Sequence, residues 1–194
     1  QILKDRKATK ILVVCPRVAK GVWKDEIEKF WGVKVFNYVG DKKKRREVFF
    51  NEFHPYNGPK VLLVTFALAK EASDIYSNIG WDVVVADEAH FIRNHKTKGW
   101  KGFEGMNTKG RIFLTGTPTG RDFLELYGYL KLIEPSTPNY FAWVNKWFGT
   151  YPGQHGLEIG PPKNVNNFLK MINQHMIFHR KEDVAKGLPK KIRQ

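Results

Sequence analysis

Cysteine is nearly absent: Cys15 is the only one in 194 residues, so neither an internal disulfide nor a CxxC metal knuckle can form, a usage that fits a reducing compartment. Long apolar runs are missing too. The longest hold about five residues, against roughly 18 for a bilayer span, and no charged-then-apolar leader follows Gln1. Neither membrane insertion nor secretion is expected. Acidic residues are scarce beside basic ones, 19 Asp and Glu against 33 Lys and Arg, and the net charge of +14 points to an anionic partner such as nucleic acid. Position 1 is not methionine, from which a fragment of a longer protein is expected. What is present is a globular composition, 42% hydrophobic with 6 Trp, 7 Tyr and 14 Phe. The length suits one domain, or one plus a fragment, rather than two.

The basic excess is confined to the two ends. Residues 1–50 carry +8, residues 51–160 are neutral and residues 161–194 carry +6. The densest run, Lys42-Lys43-Lys44-Arg45-Arg46, reads either as a solvated helix face or as a phosphate-contacting one.

Between these ends, short apolar runs alternate with helical periodicity. Ile11 to Cys15, Val33 to Val39, Val61 to Thr65, Val83 to Asp87 and Ile112 to Thr115 read as strands. Helices are expected between them. Val22, Trp23, Ile27, Phe30 and Trp31 recur at three- and four-residue spacing, which predicts one apolar helical face over 18–31 with Trp23 in the core. Lys42 to Phe53 reads as a basic amphipathic helix and Ala67 to Ser77 as another. Strands spaced by helices predict an α/β fold, a parallel sheet covered on both faces. Beyond Pro118 the pattern turns helical: Phe123 to Leu132 before a stop at Glu134 and Pro135, then Tyr140 to Phe148 and Val165 to Ile172. The glycines and prolines of residues 150–163 predict a surface loop.

The most informative stretch is Val83-Val84-Val85-Ala86-Asp87-Glu88-Ala89-His90, a buried strand that delivers two adjacent carboxylates at its carboxyl end. Ligands of open α/β sheets bind at that edge. Phosphoryl transfer needs a magnesium ion held against the phosphates and an oriented water, and two neighbouring acids can divide this work: Asp87 for the ion, through water, and Glu88 for the attacking water. Two other readings stay open here. The pair is also what an acidic turn after a strand looks like, and Asp87, Glu88, His90 and His95 are residue types that bind zinc or manganese. A second strand end, Leu114-Thr115-Gly116-Thr117-Pro118, places hydroxyls and a glycine where they can sense a phosphate, or simply make a turn.

Taken together these stretches resemble the first RecA-like lobe of a superfamily-two helicase or translocase, most similar to the Swi/Snf-type DNA translocases. Ile11 to Trp31, with Cys15-Pro16 and then Trp23 and Glu26, resembles motif Ia. Val61 to Phe66 resembles motif Ib, Asp87-Glu88-Ala89-His90 is the DEAH of motif II, and Phe91-Ile92-Arg93-Asn94 approximates the Arg-Ile-Lys-Asn that follows it. Leu114 to Pro118 resembles motif III. His179-Arg180-Lys181-Glu182-Asp183-Val184 and Leu188-Pro189-Lys190 resemble the signature that closes this lobe.

The resemblance implies a RecA-like parallel sheet over residues 1–135 and, over residues 136–194, a helical extension of the same lobe leading toward a second RecA-like lobe. It implies ATP and Mg²⁺ as cofactors, with Asp87 and Glu88 as the metal and water-activating acids and His90 beside them in the catalytic set. Gly116 and Thr117 stand on the nucleotide side, while Thr115, Gly116 and Thr117, with His90, link nucleotide state to the track. Arg17, Lys20, Thr65 and Phe66 are the implied contacts to a nucleic-acid backbone, double-stranded DNA in this family.

Two departures stand out. Thr119-Gly120-Arg121 replaces the usual Leu-Gln-Asn, and no G-x-x-x-x-G-K-[ST] occurs in the 194 residues. Because the P-loop strand lies in the middle of the family's sheet, a lobe without it is expected to expose or collapse its core, upstream sequence is expected in a parent protein, and the isolated chain is expected not to hydrolyse ATP. The implied function is a fragment of an ATP-dependent DNA translocase or helicase. The competing classes are a non-catalytic nucleic-acid-binding module and a metal-dependent hydrolase or nuclease centred on Asp87 and Glu88. The short insertions suggest a compact bacterial or phage enzyme, so a cytoplasmic location is expected, or a nuclear one if the source is eukaryotic.

Overall fold

The computed structural model describes residues 8–71, 78–119, 122–153 and 156–178. The chain divides into two compact units, Gln1–Pro138 and Asn139–Gln194.

The first unit is built on five strands: β1 (Lys10–Cys15), β2 (Lys34–Asn37), β3 (Lys60–Thr65), β4 (Val83–Asp87) and β5 (Arg111–Leu114). All pair in parallel in the order β2-β3-β1-β4-β5. Runs of Val, Leu and Ile make this possible, because a parallel sheet covered on both faces needs apolar residues on both sides of each strand. Ile11 to Cys15, Val61 to Val64 and Val83 to Ala86 are all buried. One face carries Ile11, Val13, Cys15, Val61, Leu63, Val83 and Val85, covered by Ile27 of α1 (Lys20–Trp31). Of the two expected outcomes, collapse is not seen, since β1, β3 and β4 are continuously buried. Exposure is seen, on the edge strand β5, where Ile112 and Phe113 are half-buried and Leu114 is exposed.

The helices meet the sequence expectations in outline and depart in detail. A 3-10 turn, Arg17–Ala19, precedes α1, and the buried face of α1 differs from the expected one. Val22 is 64% and Phe30 59% exposed, whereas Lys20, Trp23, Ile27 and Trp31 face inward. The basic helix begins as α2 (Lys42–Glu47), capped by Asp41, whose side chain accepts from the Lys44 amide at 2.8 Å. It then widens into π-helix over Val48–Phe53, which turns Phe49 and Phe53 into the core. α3 covers Phe66–Glu71, and the rest of the helix expected to Ser77 lies outside the described residues.

One helix was not foreseen. α4 (Lys98–Glu104) starts where the Thr97 hydroxyl accepts from the Trp100 amide and buries Trp100 and Phe103. A 3-10 turn, Phe123–Glu125, then leads into α5 (Leu126–Ile133). Gly128 in α5 lies so close to the Arg93 carbonyl that a Cβ would sit 1.9 Å from its oxygen. Trp100 Nε1 donates to the Gly128 carbonyl at 2.7 Å, and Arg93 pairs with Glu125 at 3.4 Å. The segment after the DEAH residues is thereby fastened to α5. Arg111 does the same for β5, donating to carbonyls of Phe103, Met106 and Leu132.

The second unit holds α6 (Tyr140–Trp147), β6 (Phe148–Gly153), β7 (Gly156–Pro162) and α7 (Val165–Asn173). Here the expected loop over 150–163 is corrected: β6 and β7 form an antiparallel hairpin. A two-stranded ribbon has two edges, so Pro152, Pro161 and Pro162 fit without breaking an interior ladder. Trp143, Phe148 and Phe168 fill its small core, with ring centroids 5.2 to 6.1 Å apart.

Candidate functional site

Strand register fixes what meets at the carboxyl edge. Cys15 pairs with Thr65, Val14 with Ala86 and Asp87 with Leu114. Thr65-Phe66, Pro16-Arg17, Asp87-Glu88 and Thr115-Gly116 therefore leave the sheet side by side. The chain after β1 travels toward β2, while the chain after β4 travels toward β5. Between those two diverging connections lies the topological switch point, the crevice where α/β sheets hold ligands. Asp87 stands on its rim.

Asp87 is partly buried, and each of its carboxylate oxygens already accepts one hydrogen bond. The Glu88 amide donates to Oδ1 at 3.0 Å and the indole Nε1 of Trp23 donates to Oδ2 at 2.8 Å. A carboxylate has about four lone-pair sites, so two donors orient it and leave capacity for an ion or its water shell. Glu88 has φ 55° and ψ 49°, the only non-glycine residue with positive φ among the described residues. That left-handed conformation costs roughly 1–2 kcal/mol in an L-residue. Its effect is to end β4 abruptly and start a 3-10 turn over Ala89–Ile92. The Glu88 side chain is 48% exposed, and its Oε2 lies 3.1 Å from His90 Nδ1. His90 therefore touches Glu88 and, through its ring, Phe91 at 4.3 Å.

The other expected site residues separate into groups. Thr115 bends the chain at the end of β5, its hydroxyl accepting from the Thr117 amide at 3.1 Å, with Gly116 and Thr117 exposed beside it. Of the departing tripeptide, Gly120 and Arg121 lie outside the described residues, as do the His179 to Val184 and Leu188 to Lys190 stretches. Arg17 is exposed. Thr65 accepts from the Leu68 amide at 3.4 Å and starts α3. Phe66 packs 5.1 Å from Phe91 and 6.1 Å from Phe103. With Lys70 these three rings line a shallow groove of about 260 Å³.

Lys20 is corrected. Both a phosphate contact and a solvated side chain require exposure, but Lys20 is 5% exposed and its ammonium donates to the Tyr38 carbonyl at 3.1 Å. Burial pulls its pKa down to about 8. Beneath it, burial pushes the Cys15 thiol up to about 11, with Lys20 lowering and Asp87 raising it.

Trp23 was expected in the core. It packs against the core and also donates its indole N–H to Asp87. The sequence did carry a signal: a buried indole N–H needs a hydrogen-bond partner, and periodicity does not say which.

Among the described residues no three His, Cys, Asp or Glu side chains gather to hold a metal ion. His95 sits edge-on to Tyr127 and Trp100, with centroids 5.0 and 6.3 Å away. The donor set at Asp87 suits a hard, hydrated divalent ion bound by one or two carboxylates. Among the described residues, no helix is long and apolar enough to cross a membrane.

A five-stranded parallel sheet flanked by helices, with adjacent acids at its switch point, defines a RecA-like core lobe. The SNF2-related domain profile matches residues 2–194, and the chain belongs to that family. It is similar to Helicase SWR1 of Mycosarcoma maydis, 28% identical over 198 residues, covering 93% of this chain and 11% of that protein. It is also similar to Chromodomain-helicase-DNA-binding protein 1-like of Mus musculus, 31% identical over 181 residues, covering 93% and 19%. Among solved structures it resembles the Sulfolobus solfataricus SWI2/SNF2 ATPase core in complex with dsDNA. There the TM-score is 0.61 at 25% identity, over 74% of this chain and 29% of that one. The chain thus spans between about a tenth and a fifth of the length of these two curated relatives.

Proposed function

We propose that the chain is the first RecA-like lobe of an ATP-driven motor that moves on duplex DNA, with residues 136–194 leading toward a second lobe of the same protein. The observation that carries this reading is the pair Asp87 and Glu88 at the switch point of the sheet, one carboxylate oriented by two donors and the other set out by a left-handed backbone. Asp87 would hold a Mg²⁺ ion at this edge, which would neutralise charge on the phosphates of ATP. Glu88 polarises the attacking water and takes its proton on a carboxylate oxygen. His90 holds that carboxylate through the 3.1 Å contact of Nδ1 with Oε2.

The track lies along the carboxyl edge, where Arg17 and the Thr65-Phe66 segment offer a base, a hydroxyl and helix-start amides. Such contacts to phosphates carry no sequence information, which suits a motor that steps along any DNA. His90, Phe91 and Phe66 touch in series and join the acid pair to that segment, while Thr115 to Thr117 sit beside Glu88 on the other flank. The 194 residues contain no phosphate-cradling P-loop, so they are not expected to turn over ATP by themselves. The protein works in the compartment that holds its DNA: the cytoplasm in a bacterial or phage source, the nucleus in a eukaryotic one.

The test is Glu88→Gln in the full-length protein. Loss of the base lowers ATP turnover about a thousandfold, while ATP binding, followed by calorimetry, is retained. Unchanged turnover contradicts the assignment. A wild-type protein that binds duplex DNA yet never hydrolyses ATP is instead a non-catalytic nucleic-acid module.

A further inference from the structure

Asp87 is oriented from outside its own strand. The donor to its Oδ2 is Trp23 Nε1 at 2.8 Å, on a helix 64 residues earlier in the chain. The indole is half-buried against the core shared by Ile11, Val13, Cys15 and Ile27, so packing fixes where its N–H points. Tryptophan can only donate, and a carboxylate can only accept, so the pair has a single polarity. A phenylalanine fills nearly the same space and donates nothing. The bond also links the helix that follows β1 to the end of β4, and that helix follows directly on the turn that carries Arg17.

We infer that Trp23 is a positioning residue for the ion-holding carboxylate. Its indole turns the free lone pairs of Asp87 toward the divalent ion and ties their direction to the position of the Arg17–Trp31 segment. The inference rests on the nucleotide-site reading of this edge. Trp23 touches neither substrate nor ion and acts only through Asp87. An outer partner that orients a metal ligand in this way is typically worth 10- to 100-fold in metal affinity or activity.

Trp23→Phe in the full-length protein is the test. The Mg²⁺ concentration for half-maximal ATP turnover is expected to rise about tenfold, with turnover at saturating Mg²⁺ changed much less. If Trp23 is merely core, the variant melts at a lower temperature with its Mg²⁺ midpoint unmoved, and that result overturns the inference. A second measurement needs no change at Trp23. In ¹⁵N spectra, one indole N–H resonance is expected to shift on Asp87→Asn and, in the wild type, on titration with MgCl₂ and ADP. Indole resonances that ignore both also overturn it. The two failures are separable. If Glu88→Gln leaves turnover intact, the nucleotide site is lost whatever Trp23 does. If Glu88→Gln abolishes turnover and the Mg²⁺ midpoint of Trp23→Phe is unchanged, only the positioning role falls.

Discussion

Asp82 stands just before β4 and Asp87 ends it, yet the two ends of the sheet use the same side chain in opposite ways. Asp82 accepts four hydrogen bonds: from the Thr9 amide and hydroxyl, the Lys10 amide and, at 2.7 Å, the Lys109 ammonium. Burial pushes its carboxyl upward, but Lys109 and the Lys10 and Thr9 donors outweigh that and hold it far below the ordinary range. Three of the donors crowd Oδ2 and the fourth takes Oδ1, so most of its acceptor capacity goes into tying the start of β1 to β4 and to the approach to β5. Asp87 has two donors, a partly open face and a strained neighbour. Near-full occupancy marks the carboxylate that holds the fold together, and spare acceptor capacity beside a left-handed backbone marks the one proposed to take a ligand.

Exchanging the two aspartates for asparagine is the sharpest way to break this comparison. Asp87→Asn is expected to lower ATP turnover of the full-length protein by about a hundredfold while changing unfolding free energy by less than about 1 kcal/mol. Asp82→Asn reverses the pattern. It removes charge-assisted bonds from a largely buried group, a loss of about 2 kcal/mol in urea unfolding, with turnover per folded molecule preserved. If both variants lose stability equally and activity equally, the distinction between the two ends of β4 is wrong.

Acid sharpens the same contrast. Because the folded-state pKa of Asp82 is depressed, its contribution is complete above the unfolded-state value of about 4 and is withdrawn as pH falls toward the folded value. The stability gap between wild type and Asp82→Asn should therefore be constant near neutrality and narrow below about pH 4. On the alkaline side, Lys20 gives a smaller effect of its own. With its folded pKa lowered to about 8, the unfolded chain binds more protons between that value and the ordinary 10.5, so stability rises with pH across this window. Lys20→Leu is expected to flatten that rise.

The smallest effect concerns the basic run. α2 starts at the carboxyl edge, where β2 ends, and Lys42, Lys43, Lys44 and Arg46 are exposed. Arg45 instead donates to the Gly40 carbonyl at 2.9 Å. Replacing the exposed four by glutamine should weaken duplex binding equally across sequences and make the log-affinity against log-salt slope shallower by about one to three. An unchanged slope assigns them to a solvated face.

Much of this was legible in the sequence because periodicity and strand-end chemistry report on backbone and burial together. The five strands, and Asp87-Glu88 at a carboxyl edge, follow from apolar runs closed by polar residues. α4 was missed because Gly99 and Gly102 dilute its helical pattern, and only Thr97 with Trp100 and Phe103 betray it. The β6-β7 hairpin was hidden by proline and glycine, which mark loops everywhere except in ribbons with free edges. Lys20 was misplaced, and the polar partner of the correctly placed Trp23 was not foreseen, for a shared reason. Charge and ring size predict average burial, whereas the Tyr38 carbonyl and the Asp87 carboxylate that satisfy them come from distant parts of the chain.

The central claim, that the carboxyl end of β4 is where a nucleotide-bound ion sits, is tested most directly by crystals of the full-length protein grown with ADP, beryllium fluoride and Mn²⁺ in place of Mg²⁺. An anomalous peak bonded to the Asp87 carboxylate, or one water away from it, is the result predicted. A peak remote from Asp87 and Glu88, with nucleotide bound elsewhere on the lobe, would contradict it.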